Sequence, residues 1–463
     1  MSKSPATGKF VNDVAATMVR AVIAPLWAWK EGSPYLRHIH SLERDAYRSP
    51  GQVEADQLIR LRALLRHARD NTSFYQQRMV AAGIDPEELE SLEDLQRLPL
   101  LTKEDIRADG ESMLAANIPR EHLVKKKTSG STGVSLEFFV DEPSTQWKRA
   151  VTVKYDRWAG WDIGERVGAI WGNPEPKQHW RLWLRNLILN RHVYLDTLKM
   201  NEAAMLAYQA TLVRKRPVIL FGHAHSLYLF ARFLEQRGLS GIHPRGIIST
   251  CMVLHDFERQ TIERVFGCRV TNRYGCEEVS LIACECPTGN MHLNCDNLIV
   301  EFIRDGKPVP PGEPGAIVVT DLTNYGMPFI RYKVGDVGVL STKKACPCGC
   351  TYPIMQSLEG RVADYVVTSD GNYISGISLT ENFAMRLPEV KQMQIVQIAI
   401  DQLLLRIVKG ECFNEQSYDR LSMLVRERFG KEMKWDVEYV ASIQSEESGK
   451  YRFCISYVEN PLM

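Results

Sequence analysis

Thr128-Ser129-Gly130-Ser131-Thr132-Gly133 is the stretch on which the reading of this chain turns. Ahead of it runs the apolar-then-basic stretch Leu123 to Lys127. Behind it comes Leu136-Glu137-Phe138-Phe139-Val140, whose aromatic and branched residues predict a strand. The run is therefore expected to be a loop between strands. Its two glycines remove the Cβ atoms that would block close approach, so backbone N–H groups can face an anion, and its hydroxyls add donors. It is not a Walker A loop: the GxxxxGK[ST] spacing is absent, and Val134 follows the second glycine where a lysine would serve a phosphate. Alone, such a run is most often a plain connector, so its meaning depends on what surrounds it.

At 463 residues the chain has room for two or three domains. Hydrophobic content of 44% and charged content of 24% are ordinary globular values. A net charge of +1 speaks against a general nucleic-acid surface. The apolar stretch Val14 to Trp29 is interrupted by Arg20 and is too short and amphipathic to span a membrane. It is expected to be a helix packed on its own domain, with a surface-lying or partner-docking helix as the alternative. Eleven cysteines without a signal peptide fit reduced thiols in a cytoplasmic enzyme.

Residues 1–120 read as a mainly helical lead-in, with a loop at Arg48-Ser49-Pro50-Gly51. Over 54–82, Leu58, Leu61, Leu64, Leu65 and Ala68 fall on one helix face. Ser91 with Asp94 starts a short helix. From about 124 to 340, β-rich runs (167–171, 218–221, 246–249) alternate with helical ones (202–214, 224–238). That alternation predicts an α/β fold, sheets covered by helices, with ligands beyond the carboxyl ends of the strands. After Gly360-Arg361 the pattern becomes a small α+β unit, with strands near 365–367, 390–400 and 403–409 and a helix near 414–429. The expected organisation is a large N-terminal domain, 1–359, and a small mobile C-terminal domain, 360–463.

Further motifs follow the opening run in a fixed order. They are Tyr274-Gly275-Cys276-Glu277-Glu278, Arg331-Tyr332-Lys333-Val334-Gly335-Asp336, Gly360-Arg361-Val362-Ala363-Asp364 and Gly449-Lys450. The series resembles the adenylate-forming superfamily, within it the phenylacetate–CoA ligase branch, over about residues 55–455. The resemblance implies activation of a carboxylic acid by ATP to acyl-AMP, then acyl transfer, with CoA thiol the expected acceptor. It implies that Thr128, Ser129, Gly130, Ser131, Thr132 and Gly133 hold the phosphates, that Tyr274 and Gly275 flank the adenine, and that Asp336 grips the ribose. Arg361 would contact ribose or phosphate, and Glu278 would bind Mg²⁺. Lys450 would reach the carboxylate and α-phosphate, with Glu278 and Thr132 beside it as catalytic groups. A short carboxylate suits paired ribose hydroxyls, and a flexible lysine suits a site completed when two domains close. Ala363 replaces the usual polar hinge residue, which leaves the pivot undetermined.

A second constellation is separate: Cys284-Glu285-Cys286, then His292 and Cys295, and later Cys346-Pro347-Cys348-Gly349-Cys350. Two knuckles of thiol and imidazole have the composition of a closed structural Zn²⁺ site, although the spacing is not that of a zinc finger. Cys286, His292, Cys346 and Cys348 are the preferred ligands, with Cys284 and Cys350 in reserve. Strand ends at 171–174, 222–226 and 249–252 would form the acid pocket, with one of His223 and His225 facing it; they suit an aryl or other compact acid without selecting one. Transfer to an amine or a carrier-protein thiol stays open, as does homodimer formation. A non-catalytic scaffold or nucleotide sensor is the alternative from another class.

Overall fold

The structure is a computed structural model; it describes residues 13–128, 136–172, 184–359, 365–368, 373–375, 379, 383, 386–387, 389–443 and 453–458. The lead-in is helical, and its long helix Pro50–Asn71 buries Leu61, Leu64, Leu65 and Ala68 completely. Of Arg48-Ser49-Pro50-Gly51, the first two residues connect two helices and the last two open the second. Ser49 caps this helix in a reciprocal box with Gln52, and Pro50 takes a first-turn position where its missing N–H costs nothing. The stretch 54–82 is also two helices, because extended Thr72 breaks the first and caps Ser73–Ala82 through its side chain.

The strands, in chain order, are β1 (Leu123–Lys127), β2 (Glu137–Asp141), β3 (Val167–Trp171), β4 (His192–Asp196), β5 (Ile219–His223), β6 (Gly246–Thr250), β7 (Val270–Cys276), β8 (Ser280–Glu285), β9 (Met291–Leu293), β10 (Leu298–Arg304), β11 (Lys307–Pro308), β12 (Pro314–Asp321), β13 (Tyr332–Leu340) and β14 (Ile354–Glu359). β1 and β2 form a separate antiparallel pair. The rest make one twelve-stranded sheet in the order β11-β10-β12-β13-β14-β9-β8-β7-β6-β5-β3-β4. From β4 to β7 the pairing is parallel, joined by helices such as Glu202–Lys215, Ala224–Gln236 and Asp256–Phe266. From β7 onward it is antiparallel. Thus β7 is the strand where the sheet changes sense, and the Tyr274 motif lies at its carboxyl end.

After β14, the short pair β15 (Tyr365–Val367) and β16 (Tyr373–Ser375) leads to a separate four-stranded sheet. That sheet is β19 (Lys434–Tyr439), β18 (Gln402–Lys409), β17 (Val390–Ala399) and β20 (Cys454–Ser456), covered by the helix Glu415–Phe429. It has its own core, including Ile395, Leu405, Leu421 and Val425. The fold is therefore mixed α/β with a small separate C-terminal sheet domain. The expected boundary is near 359–364, of which 360–364 lie outside the described residues.

Candidate active site

At the end of β7 the chain must turn sharply to pair antiparallel with β8. Residues 277–279 make that turn, and a bulge between Tyr274 and Gly275 shifts the register just before it. A Cβ on Gly275 would lie 2.4 Å from the Ser280 carbonyl oxygen, so this close approach of backbone needs glycine. The turn brings two carboxylates of the ordered motifs to two tyrosines. The Tyr274 hydroxyl donates to Asp336 Oδ2 at 3.0 Å, and the Tyr332 hydroxyl donates to Glu278 Oε1 at 2.7 Å. Each bond joins the β7 turn to β13. Tyr274 and Glu278 are buried, Tyr332 fully so, and Asp336 is half-buried beside Gly335, which has a left-handed φ of 99°. Asp336 therefore offers an acceptor already oriented by a phenol, while the Tyr274 ring lies in the core beside it.

Two lysines approach the same turn. Lys148, on the helix Glu142–Trp158, pairs with buried Asp321 at 2.7 Å and reaches the Glu278 carbonyl oxygen at 3.5 Å. Lys126 on β1 pairs with Glu277 at 3.2 Å, so the stem of the opening loop is anchored beside the motif. Thr128 closes that stem. Its N–H donates to the Leu136 carbonyl at 2.9 Å, and its Oγ1 accepts the Leu136 N–H at 3.0 Å. Ser129, Gly130, Ser131, Thr132 and Gly133 lie outside the described residues, as do Arg361 and Lys450. Sequence reasoning gave no role to Tyr332 or Lys148. Tyr332 stood inside a quoted motif, but nothing local in the sequence announces a partner 54 residues away.

The two cysteine knuckles meet. Ligand atoms of Cys286, His292, Cys346 and Cys348 all lie within 4.8 Å of one another. Cys286 Sγ is 3.6 Å from Cys346 Sγ, and Cys348 Sγ is 3.4 Å from His292 Nε2. A tetrahedral Zn²⁺ site with Zn–S bonds of about 2.3 Å has sulfur–sulfur edges of about 3.8 Å, so the donor set fits that ion. His292 Nδ1 faces the Tyr352 carbonyl oxygen at 2.8 Å, which only an N–H can satisfy; Nε2 is left as the donor atom for a metal. The Cys286 and Cys346 sulfurs lie 3.1 and 3.2 Å from the Thr288 hydroxyl, and Asn290 Nδ2 donates to Cys346 at 3.2 Å. Burial alone would raise the Cys286 thiol, but hydrogen bonds from His292 and Thr288 bring it down to about 5. The pairing of this sulfur with His292 raises the imidazole to about 12 against its desolvation. Cys284 and Cys350 are buried outside the quartet.

Of the two histidines at the end of β5, His225 is held by Glu258 at 2.6 Å from Nδ1. His223 is fully buried, with its ring 4.3 Å from that of Trp171. Among the described residues neither of its ring nitrogens has a hydrogen-bond partner, and burial pushes it down to about 4.

The fold and the ordered motifs are those of the adenylate-forming ligases to which the chain is similar. The chain is a homologue of phenylacetate–CoA ligases, and its structural neighbours are acyl-CoA ligases of that class. The phenylacetate-coenzyme A ligase of Thermus thermophilus is 27% identical over 383 residues, 78% of this chain and 82% of that one. Protein CapK of Staphylococcus aureus is 22% identical over 398 residues, 85% of this chain and 87% of that one. The family described as CapK C-terminal domain matches residues 366–457. Among solved structures, 2-hydroxyisobutyryl-CoA ligase with 2-HIB-AMP and CoA in the thioesterification state aligns with a TM-score of 0.60 at 19% identity, covering 89% of this chain and 92% of that one. At that identity it speaks for the fold.

Proposed function

We propose that this chain is an AMP-forming acid–CoA ligase. In the first step a carboxylate oxygen attacks the α-phosphorus of ATP and the bond to pyrophosphate breaks, leaving acyl-AMP. In the second, the CoA sulfur attacks the acyl carbonyl, gives up its proton, and AMP leaves. The observation that carries this reading is the convergence of Tyr274, Glu278, Tyr332 and Asp336 where the sheet changes sense. A scaffold has no need of two carboxylates held in place by phenols.

Asp336 accepts the ribose hydroxyls, with Tyr274 orienting its carboxylate. The loop 128–133 cradles the phosphates above a stem tied to Glu277 by Lys126. Glu278 holds the magnesium ion, which when bound neutralises phosphate charge; one carboxylate plus phosphate oxygens is an ordinary ligand set for it. Arg361 and Lys450 belong to the closing of the small domain, and Lys450 neutralises the charge that grows on the α-phosphate. The quartet Cys286, His292, Cys346 and Cys348 holds a structural zinc ion, in keeping with a reducing cytoplasm. The test is pyrophosphate release across a panel of aryl and compact acids, then thioester formation with CoA. Acid-dependent release is expected. ATP binding with no acid-dependent turnover across the panel would make the chain a nucleotide sensor instead.

A further inference from the structure

The first helical stretch has its large side chains on the wrong side for a water-soluble surface. It runs from Val14 to Lys30 through a π-turn at Val19–Ile23. Apart from Thr17, Arg20, Pro25 and Lys30, every residue in it is apolar, and none is acidic. The side that packs on the protein is built of small residues: Ala16, Val19, Ala24 and Ala28 are buried. That packing is close, since a Cβ on Gly164 would meet Val19 at 2.7 Å. The outward side carries Val14 (78% exposed), Met18, Val22, Leu26 (60%) and Trp29 (82%). At about 100° per residue these span an arc of about 120°, and the stripe is about 22 Å long. Leu187 extends the patch: it is exposed, and its neighbours Ile188 and Leu189 cluster with Val19 and Ile23.

We propose that this face docks on the headgroup layer of an anionic lipid bilayer, lying on it rather than crossing it. An apolar stripe of this length with a Trp at one end is the composition of an interfacial helix. The charges around the rim favour anionic lipid. Asp13 is paired with both Arg191 at 2.8 Å and Arg166 at 3.6 Å, and Asp162 with both Arg20 at 3.0 Å and Arg157 at 2.9 Å, so arginines outnumber these two carboxylates. Lys30 is exposed at the Trp29 end. The twelve residues before Asp13 carry Lys3 and Lys9 and no acidic side chain, so the chain that leads into the stripe is itself basic. A second copy of this chain would find no acidic patch in the stripe to answer these cations.

The experiment is flotation of the full chain with phosphatidylcholine vesicles, with and without about a third of phosphatidylglycerol, for the parent and for the triple variant Met18→Gln/Leu26→Gln/Trp29→Gln. Binding to the anionic vesicles is expected, weakening with salt, and about a thousandfold weaker in the variant, since each of the three large apolar side chains contributes about tenfold. Val80→Gln, at an exposed position on another helix, is the control and should bind as the parent. An unchanged melting midpoint shows that the triple variant is folded. If the variant melts early, the single Trp29→Gln must still lower vesicle binding about tenfold. Equal binding by parent and variant, or no preference for anionic vesicles, overturns the proposal. So does a parent that is dimeric without lipid, does not bind vesicles, and becomes monomeric in the variant, because a second copy then covers the face.

Discussion

Replacing Tyr332 with Phe removes one oxygen from the candidate active site and leaves the ring. That ring is fully buried against Phe329, with centroids 5.1 Å apart, so a phenyl group fills the same space. The hydroxyl's hydrogen bond to Glu278 Oε1, at 2.7 Å, disappears. Glu278 is only 4% exposed, so water has little access to replace the donor. A hydrogen bond to a charged group contributes about 1.5–3 kcal/mol. At about 1.4 kcal/mol per factor of ten, pyrophosphate release from acid plus ATP should slow roughly ten- to a hundredfold. Thioester formation from supplied acyl-AMP and CoA should change far less, because the role proposed for Glu278 lies with the phosphates of the first step. The assay is both rates on one preparation, with Glu278→Gln and the double variant completing a cycle. A coupling of about 1–3 kcal/mol is expected between the two positions. Parental pyrophosphate release in Tyr332→Phe, or losses that simply add, would refute a role for Tyr332 in positioning Glu278.

Lys450→Ala should slow acyl-AMP formation by about a hundredfold or more while ATP affinity holds, the mark of a contact made only in the transition state; equal loss in both half-reactions would make Lys450 a folding residue. Asp336→Ala should weaken ATP binding by about 1–3 kcal/mol in calorimetry, and unchanged affinity would remove it from the ribose site. Metal analysis should find about one zinc per chain. Cys348→Ser should lower the melting midpoint more than it alters the preference among acids. His223 titrates at about 4 when folded against an ordinary 6.5, so the unfolded chain binds the extra proton between those values. Stability is then whole above pH 6.5 and falls as pH drops toward 4, by about 3 kcal/mol for this group. Denaturant titrations of His223→Phe should show that pH slope reduced by about one proton, and an unchanged slope would mean that His223 is hydrated.

Where local pattern decides structure, the sequence was legible. The face Leu61, Leu64, Leu65 and Ala68 is the buried face of Pro50–Asn71, and the run 167–171 is β3. The helix expected near 414–429 is Glu415–Phe429, capped by Asn414. The four preferred metal ligands come together because each knuckle is local and only their meeting is not. The strands expected on either side of the 128–133 run are β1 and β2, paired with each other. Misreadings came from competing signals. Pro50 and Gly51 suggested a loop, while Ser49 and Gln52, three apart, carried the capping box. The bonds from Tyr274 to Asp336 and from Tyr332 to Glu278 join residues 62 and 54 apart. No local pattern encodes them; the change of strand direction at β7 does.

The cysteine quartet also bears on the order in which the chain assembles. Cys286 and Cys346 are sixty residues apart, and the chain between them contains β10, β12 and β13, with Asp336 on the last. A metal ion bound by both knuckles closes that span into a loop, and the entropy of closure rises only slowly with loop length. Once the loop is closed, the strand that carries Asp336 can no longer drift far from the turn that carries Tyr274. If the quartet takes zinc as proposed, zinc supply during synthesis would set how quickly a competent nucleotide site forms.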